Sequence, residues 1–328
     1  MQFHKLLTVC GLAALNIFSP AGHAQNFPSK PLTMAVAAPA GGALDFVGRL
    51  LAKEMAVSLG QQVIVENSPG AGGTLGTTKA LRAPADGYTM MMTSPVEMIF
   101  GPLNYNSAQY KPEDARTILF VGRTDVVLVT RKGLPVSNLA ELIALMKTNA
   151  QKPLSYCSPG TGSLYHLIGE KLNAIAGVQS VHAPYNGFPQ CATDLAGDTT
   201  IDFAFLPLAG PFPGFIDSGN LKAIALLSTT TNSRFPKLPT ASTTKGFEDF
   251  AFSIWAGIQV NGKVPDAVAE VLLKHATAAL AKPEVRTAIE KTGSVIAQSM
   301  TLRQAQDEYV KEIALYTSIS KSVGLPKQ

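Results

Sequence analysis

The sequence predicts an α/β protein built from two lobes. Short apolar runs of the kind found in buried strands alternate with segments whose apolar residues recur at helical spacing, and turns rich in glycine and proline separate them. Such alternation is typical of a parallel sheet covered by helices. It begins near residue 32 and starts again near residue 126, and 328 residues are enough for two domains of ordinary size.

The first unit begins with an apolar run that we expect to form a buried strand. Pro39-Ala40-Gly41-Gly42 ends that run, and apolar side chains then recur at helical spacing as far as Leu59. In chain order we expect a strand at 32–38, a helix at 44–59, a strand at 63–66, a helix at 74–81 and a strand at 88–93.

The second unit repeats the same order of elements. We expect strands at 126–130, 154–157, 181–184, 201–206 and 223–227, helices at 138–148, 163–176 and 189–195, and further helices at 265–281, 283–292 and 302–323. Because no low-complexity linker separates the units, the strands at 126–130 and 223–227 should cross between them. We therefore predict one lobe of residues 25–125 with 229–328, and a second lobe of residues 126–228.

The first 24 residues have the three zones of a secretory signal peptide. A cation at Lys5 precedes an apolar run at 6–18, and small residues at Gly22 and Ala24 predict cleavage after Ala24. The run is shorter than the roughly 20 residues needed to span a bilayer, which argues against a membrane anchor. A lipoprotein attached at Cys10 is the other alternative, but Val9 stands where a small residue is required. We predict a soluble exported protein.

Composition and charge exclude several classes of function. The formal net charge of +4 falls to +3 when Lys5 is removed with the leader, which is too small and too dispersed for nucleic-acid binding. The histidines are widely spaced and no Cys-x-x-Cys pair occurs, so we expect no metal site and no cofactor. Cys157 and Cys191 would face an oxidising compartment, where they could form a disulfide. The alternative is two separate buried thiols.

A glycine-containing loop of the first unit is a candidate for anion binding. Pro39, Ala40, Gly41 and Gly42, followed by Asp45, lie where a strand leads into a helix. Glycines let the backbone approach a ligand, and the N–H groups of the first helical turn attract an anion. The alternative is an ordinary tight turn that Asp45 caps.

A second glycine-rich loop, at 68–76, includes Gly73 and Thr74. It resembles a phosphate cradle, but no Gly-Lys-Ser/Thr follows it. Its glycine spacing also differs from the dinucleotide-binding pattern, so we do not expect a nucleotide site.

Two loops of the second unit occupy equivalent positions after predicted strands. The first contains Ser158, Gly160, Thr161, Gly162 and Ser163, and the second contains Tyr185, Asn186 and Phe188. Hydroxyls of the first loop could donate to an anion. Rings of the second could pack on a ligand, or they could only cover the surface of the lobe. Because ligands of open α/β sheets bind beyond the carboxyl ends of strands, two such lobes would enclose a small anion.

A secreted hydrolase with Ser158 or Ser163 as its nucleophile is the enzyme alternative. The segment around Ser163 is not the Gly-x-Ser-x-Gly turn of α/β-hydrolases, and His166 would lie on the helix that Ser163 begins rather than opposite it. No pair of carboxylates has a spacing that suggests acid–base chemistry. We therefore expect binding without catalysis.

From residue 27 to the C-terminus the chain resembles the Bug family, the receptors of tripartite tricarboxylate transporters. The resemblance lies in ordered motifs: Pro39-Ala40-Gly41-Gly42 with Asp45 and Arg49, and the segments 65–74, 84–89, 154–163, 181–187 and Trp255-Ala256-Gly257. It implies a type II periplasmic-binding-protein fold that closes over a carboxylated solute, held mainly by the loops 39–42 and 158–163. It also implies a periplasmic location and membrane transporter subunits as partners. We further expect a monomer.

The chain departs from the family pattern inside the expected cleft. Phe205-Leu206-Pro207 stands where the strand of the family runs on to an aspartate, Asn186 replaces a lysine, and Phe188 replaces a small residue. These departures imply an apolar, aromatic cleft, with Phe205 among its residues, and an aromatic or dicarboxylic acid rather than an amino acid. A sensor subunit that presents its loaded form to a signalling partner is the other function that such a fold allows.

Overall fold

The computed structural model describes residues 27–198, 200–323 and 327. Its strands are β1 Leu32–Val36, β2 Val63–Asn67, β3 Thr89–Thr93, β4 Ala115–Arg131, β5 Ser155–Ser158, β6 Val181–Pro184, β7 Phe203–Pro207, β8 Leu221–Leu227, β9 Ser253–Asn261 and β10 Val295–Ile296. Its helices are α1 Ala43–Leu59, α2 Thr74–Leu81, α3 Gly101–Asn104, α4 Leu139–Thr148, α5 Leu164–Ala176, α6 Phe188–Ala196, α7 Phe212–Asp217, α8 Asp266–Leu280, α9 Pro283–Glu290 and α10 Leu302–Val323. The predicted signal peptide lies outside the described residues. Within them, no helix is long and apolar enough to cross a bilayer.

The first sheet is formed by β1, β2, β3, β9, β10 and the first part of β4. β1 lies parallel between β2 and β3, whereas β9 runs antiparallel to β3 and to β4. Leu32, Met34 and Val36 of β1 are fully buried and belong to one apolar cluster with Val47 and Leu51 of α1. The apolar side of α1 therefore covers this sheet, as its helical spacing of apolar residues predicts.

The second sheet is formed by β5, β6, β7, β8 and the remainder of β4. β5 lies parallel between β6 and β7, and β4 is antiparallel to β7 and β8. Leu167 and Leu172 of α5 pack in the same cluster as Tyr156 of β5. Cys191 and Leu195 of α6 pack in a cluster with Cys157. Separate helices thus bury residues from successive positions of β5, which point to opposite faces of the sheet.

β4 belongs to both sheets. Residues 115–125 pair with β9, and Val126 begins the pairing with β7 and β8. The crossing strand predicted at 126–130 is therefore part of a longer one. The second crossing differs from the prediction at 223–227, because β8 stays in the second sheet. The chain returns through residues 228–252 and enters the first sheet as β9.

Candidate ligand-binding cleft

A cavity of about 420 Å³ lies between the two sheets with their helices. The loops after β1 and β2 form one wall, the loops after β5 and β6 form the facing wall, and β4 with β9 contributes Val121 and Trp255. The volume falls within the range of roughly 300–1,000 Å³ that small-molecule sites have. The cavity lies at the carboxyl ends of parallel strands, where the sequence predicts a ligand.

The two walls meet at glycines. A Cβ atom added to Gly187 would lie 2.4 Å from Cγ of Pro39 on the opposite wall. A Cβ atom added to Gly160 would lie 3.3 Å from the hydroxyl oxygen of Tyr105. Gly187 also has a φ of 141°, which side-chain-bearing residues rarely adopt. A glycine at position 187 therefore lets the walls approach each other.

Asp45 supports the first loop from behind. Its carboxylate accepts hydrogen bonds from the Gly41 N–H at 2.9 Å and from Nδ2 of Asn67 at 3.0 Å, and it forms an ion pair with Arg49. Burial opposes ionisation, but hydrogen bonds from Arg49, Gly41 and Asn67 hold the pKa of Asp45 below its ordinary value. Asp45, Gly41 and the exposed Ala40 do not line the cavity, whereas Pro39 and Gly42 do.

The first turn of α1 has free N–H groups beside the cavity. Gly42 is the N-cap of this helix, and no side chain caps it. Ala43 and Leu44 line the cavity, and their N–H groups have no acceptor among the described residues. A helix N-terminus carries partial positive charge, so this turn can hold an anion through the main chain.

The two predicted residues of the second glycine-rich loop, Gly73 and Thr74, differ in their position relative to the cavity. Gly73 lines the cavity, and a Cβ atom added to it would lie 2.7 Å from Cβ of Glu97. Thr74 is buried behind it, and its hydroxyl donates to the carbonyl oxygen of Ala71 at 2.9 Å. Thr74 therefore closes the loop, and Gly73 is the residue that a ligand could touch.

The loop after β5 is divided in the same way. Two predicted residues line the cavity, Gly160 and Thr161, while Ser158, Gly162 and Ser163 lie behind them. The Ser163 hydroxyl accepts a hydrogen bond from the His166 N–H as the N-cap of α5, and the Gly162 N–H donates to Nδ1 of His166 at 3.0 Å. The Thr161 N–H has no acceptor in the described part of the chain. The hidden residues thus fix the shape in which Thr161 is presented.

Ser158 has a histidine partner behind this loop. Its hydroxyl oxygen lies 2.6 Å from Nε2 of His182, a distance at which a histidine could activate a serine nucleophile. However, Ser158 is fully buried and does not line the cavity. Burial and the neighbouring His166, whose ring centroid lies 4.0 Å away, lower the pKa of His182 to about 4. The pair therefore supports the loop rather than meeting a ligand.

The loop after β6 brings Tyr185, Asn186 and Phe188 to the cavity. The Tyr185 hydroxyl donates to Asp194 at 2.7 Å, and the Phe188 ring packs edge-on against Tyr165 at 4.5 Å between centroids. The apolar wall expected from Phe188 is therefore shared with Tyr165. Phe205 does not line the cavity but is fully buried in the core of the second lobe.

Comparison with known proteins identifies the family. The family model described as a tripartite tricarboxylate transporter family receptor matches residues 47–320. The chain belongs to this family. It is 31% identical to BugT of Bordetella pertussis over 331 residues, which cover 99% of each protein. It is 30% identical to the solved periplasmic binding protein BugD, with a TM-score of 0.83 that covers 92% of this chain and 100% of BugD.

A further solved structure agrees in fold. An R. palustris protein solved with adipate has a TM-score of 0.85 at 23% identity, covering 92% of this chain and 100% of that one. The Bug resemblance and the two-lobed periplasmic-binding-protein fold expected from the sequence are confirmed. This chain is a member of a family of solute-binding receptors.

Two residues of the cavity wall of this receptor were not predicted from its sequence, Tyr105 and Trp255. The hydroxyl of Tyr105 and the indole N–H of Trp255 are themselves buried behind the cavity surface and have no partner among the described residues. Burial raises the pKa of Tyr105 to about 12, so its hydroxyl keeps its proton. Trp255 stood out in the sequence only as part of a family motif, and nothing in the residues around Tyr105 marks it.

The receptor also has a buried acid in its cavity wall. Glu97 is 3% exposed, and its carboxylate accepts hydrogen bonds from the Ser94 N–H and from the Ser94 hydroxyl at 2.8 Å. Burial raises the pKa of Glu97 to about 7 despite these hydrogen bonds. The sequence does place Ser94 three residues before Glu97, a spacing typical of a helix cap. That Glu97 lies in the cavity wall depends on tertiary packing, which the sequence pattern does not reveal.

A disulfide joins β5, the strand before the first loop of the second wall, to α6, the helix after the second loop of that wall. Cys157 of β5 and Cys191 of α6 are bonded, and their Cα atoms lie 5.9 Å apart. Both residues are fully buried. The bond ties the strand that leads to the loop 158–163 to the helix that follows Tyr185 and Phe188.

Proposed function

We propose that this receptor captures a small carboxylate in the periplasm and delivers it to the membrane subunits of a tripartite tricarboxylate transporter. The observation that carries the proposal is a set of main-chain donors on both walls of the cavity that have no acceptor among the described residues: the N–H groups of Ala43, Leu44 and Thr161. A carboxylate, which only accepts hydrogen bonds, would satisfy several of them.

The similar solved proteins support a carboxylate as the solute. BugD is a periplasmic binding protein, and the R. palustris protein of the same fold was solved with adipate, a carboxylated molecule. We infer for this chain the carboxylate, the periplasmic location and cleavage of the leader after Ala24. We also infer that the mature receptor acts as a monomer.

The proposal assigns roles to the predicted site residues. Those that line the cavity would contact the solute, namely Pro39, Gly42, Gly73, Gly160, Thr161, Tyr185, Asn186 and Phe188. Asp45, Thr74, Ser158 and Ser163 would hold the loops in place. The proposed lobes are residues 25–125 with 229–328 and residues 126–228, and the change of β4 partner at Val126 supports this division.

Mass spectrometry of the small molecules released from natively purified receptor tests the proposal. We expect an organic acid, and adding that acid back to stripped protein should raise the melting temperature, because a ligand stabilises the state that binds it. Its amide should not. Release of only neutral compounds, or equal shifts by acid and amide, would contradict carboxylate capture.

Delivery is tested separately by capturing membrane proteins with the loaded receptor. Enrichment of the transporter subunits over the unloaded receptor supports transport. Enrichment of a signalling protein in their place would favour a sensor subunit with the same binding chemistry.

A further inference from the structure

The charged side chains that line the cavity are one cation and one acid. Among the described lining residues these are Arg123 and Glu97. Arg123 pairs with Glu308 at 3.5 Å and with Glu312, both on α10. One guanidinium thus faces two carboxylates before any solute arrives, and little of its charge remains for a solute.

The hydrogen bonds of the Glu97 carboxylate come from Ser94, which also lines the cavity. Glycine at position 73 allows this placement, because a Cβ atom there would lie 2.7 Å from Cβ of Glu97 and 2.8 Å from the Ala37 carbonyl oxygen. The acid is therefore packed against the loop after β2. Among the described residues, no cation pairs with it.

The ionisable groups that interact with Glu97 from the surrounding elements are tyrosines. Tyr110 donates to the main-chain oxygen of Glu97, and Tyr165 of α5 and Tyr309 of α10 lie within electrostatic range. Burial raises the pKa of all three hydroxyls, so they stay neutral. On α2, which packs beside Glu97, Lys79 is exposed and pairs with Glu66.

We propose that Glu97 sets the class of solute, and that this class differs from the aromatic or dicarboxylic acid expected from the sequence. The receptor takes acids that carry one carboxylate and, apart from it, a hydrogen-bond donor such as an ammonium or hydroxyl group, and it discriminates against dicarboxylates. This inference rests on the proposed function, since it assumes that the free N–H groups of α1 and Thr161 hold the first carboxylate. The second group of the solute then lies against Glu97. A donor there satisfies the acid, whereas a second carboxylate meets a like charge in a site of low dielectric constant.

The protonation state of Glu97 makes the discrimination between the two classes of solute depend on pH. Its pKa of about 7 means that the acid is mainly ionised at pH 8 and mainly protonated at pH 6. Binding of a dicarboxylate should therefore strengthen as the pH falls from 8 to 6, with uptake of a proton. Binding of an ammonium-bearing acid should weaken over the same range. His166 and His182, behind the facing loop, have lowered pKa values and contribute little there.

The test is isothermal titration calorimetry of the mature receptor with adipate and with 6-aminohexanoate, which differ in one terminal group. At pH 8 we expect the amino acid to bind at least about tenfold more tightly, a modest effect for one like charge in a site of low dielectric constant. E97Q should strengthen adipate binding and weaken 6-aminohexanoate binding. It should also remove the dependence of both affinities on pH between about 6 and 8. E270Q removes an exposed acid of α8 that does not line the cavity, and it should change neither affinity.

The outcomes separate the two proposals. Adipate binding as tightly as 6-aminohexanoate at pH 8, or an E97Q variant that shifts both affinities in the same direction, would overturn the role of Glu97 and leave carboxylate capture standing. Binding of neither acid, nor of any acid in the released pool, would overturn both. If E97Q fails to fold, the wild type decides the question. Affinities for adipate and 6-aminohexanoate that change in opposite directions with pH would support the inference, and affinities that change in the same direction would contradict it.

Discussion

Asp45 receives hydrogen bonds from the loop before α1, from α1 itself through Arg49, and from β2 through Asn67. Hydrogen bonds to a charged group contribute about 1.5–3 kcal/mol, so Asp45→Asn should lower the free energy of unfolding at pH 7 by about that amount. The folded pKa of Asp45 lies below its ordinary value. This stabilisation is therefore present above the ordinary Asp pKa and is lost as the pH falls through the folded value.

Urea denaturation at pH 7 and near pH 3 measures the effect of Asp45→Asn. The difference from the wild type should shrink at the lower pH. Asp266→Asn is the control, since that carboxylate pairs with Arg116 but its side chain is 90% exposed, and exposed ion pairs contribute little. An equal loss for Asp45→Asn at both pH values would mean that packing, not charge, explains it.

Thr161 is the residue of the second wall whose side chain we expect to meet the carboxylate. A hydrogen bond to a charged group is worth about 1.5–3 kcal/mol, which corresponds to roughly 10- to 150-fold in Kd. Thr161→Val should weaken binding of the natural acid by that factor and leave the melting temperature of the unloaded receptor nearly unchanged. Thr193→Val, in the exposed surface of α6, should leave the affinity unchanged. Equal affinities of the Thr161→Val variant and the wild type would remove the hydroxyl from the site.

Residues of the cleft differ in how far the sequence reveals them. Pro39, Gly42 and Thr161 follow strands in glycine-containing loops, and a local pattern is enough to predict that they meet a ligand. Tyr105 and Trp255 reach the cavity only because distant segments fold around it, and no local pattern carries that information. Burial of Phe205 in the core shows the converse, since a family comparison at one position does not predict the direction of a side chain.

At the scale of elements, the longer helices and the short parallel strands were predicted well. The short helices α3 and α7 and the long strand β9 were not predicted, and the long strand β4 was predicted only in part. α2, α10 and β6 have the predicted bounds. β4 was predicted only from residue 126 onward. Its earlier part contains two register shifts, and it contains Gly122, where an added Cβ atom would lie 2.4 Å from the carbonyl oxygen of Val295. Close approach by β10 thus requires a residue that weakens the apolar pattern.

The disulfide between β5 and α6 should contribute both to stability and to solute binding. In the chain-entropy model, a crosslink between residues 34 apart stabilises by about 3–4 kcal/mol. Replacing both Cys157 and Cys191 by alanine should lower the free energy of unfolding by that amount. It should also weaken solute binding, because the bond joins the elements beside both loops of the second wall. Calorimetric titration and urea denaturation measure the two effects.

Thiol titration of the denatured, unreduced mature protein is the control for the disulfide. We expect no free thiol, and reduction should release both. Two free thiols in the unreduced protein would contradict the bond. An alanine pair that binds the solute as tightly as the wild type would confine the role of the bond to stability.

At the scale of the whole molecule, the two walls meet at Pro39 and Gly187, and we expect solute capture to depend on this contact. A Cβ atom at position 187 would overlap Pro39 and strain a backbone with φ of 141°. Gly187→Ala should therefore hold the walls apart and weaken solute binding by about tenfold or more, since 1.4 kcal/mol of strain is already tenfold in Kd. Small-angle X-ray scattering of the variant with solute should show a larger radius of gyration than the loaded wild type.

Gly177→Ala is the matched control for Gly187→Ala. Gly177 ends α5 with φ of 64° and has open space where a Cβ atom would lie. Its replacement should cost about 1–2 kcal/mol of stability through the left-handed backbone but leave the affinity unchanged. If both variants lose affinity equally, general destabilisation rather than contact between the walls is responsible.

The free N–H groups of Ala43, Leu44 and Thr161 have a consequence for how such receptors can diverge. Apart from proline, a mutation that changes the side chain at these positions leaves the main-chain donor in place. If these groups hold the solute as proposed, a lineage can substitute residues around the cavity without losing the anion. Glu97 contributes a side-chain group instead, so we expect a single replacement there to change which acids bind. Main-chain binding of the anion can in this way persist through evolution while the preferred solute changes.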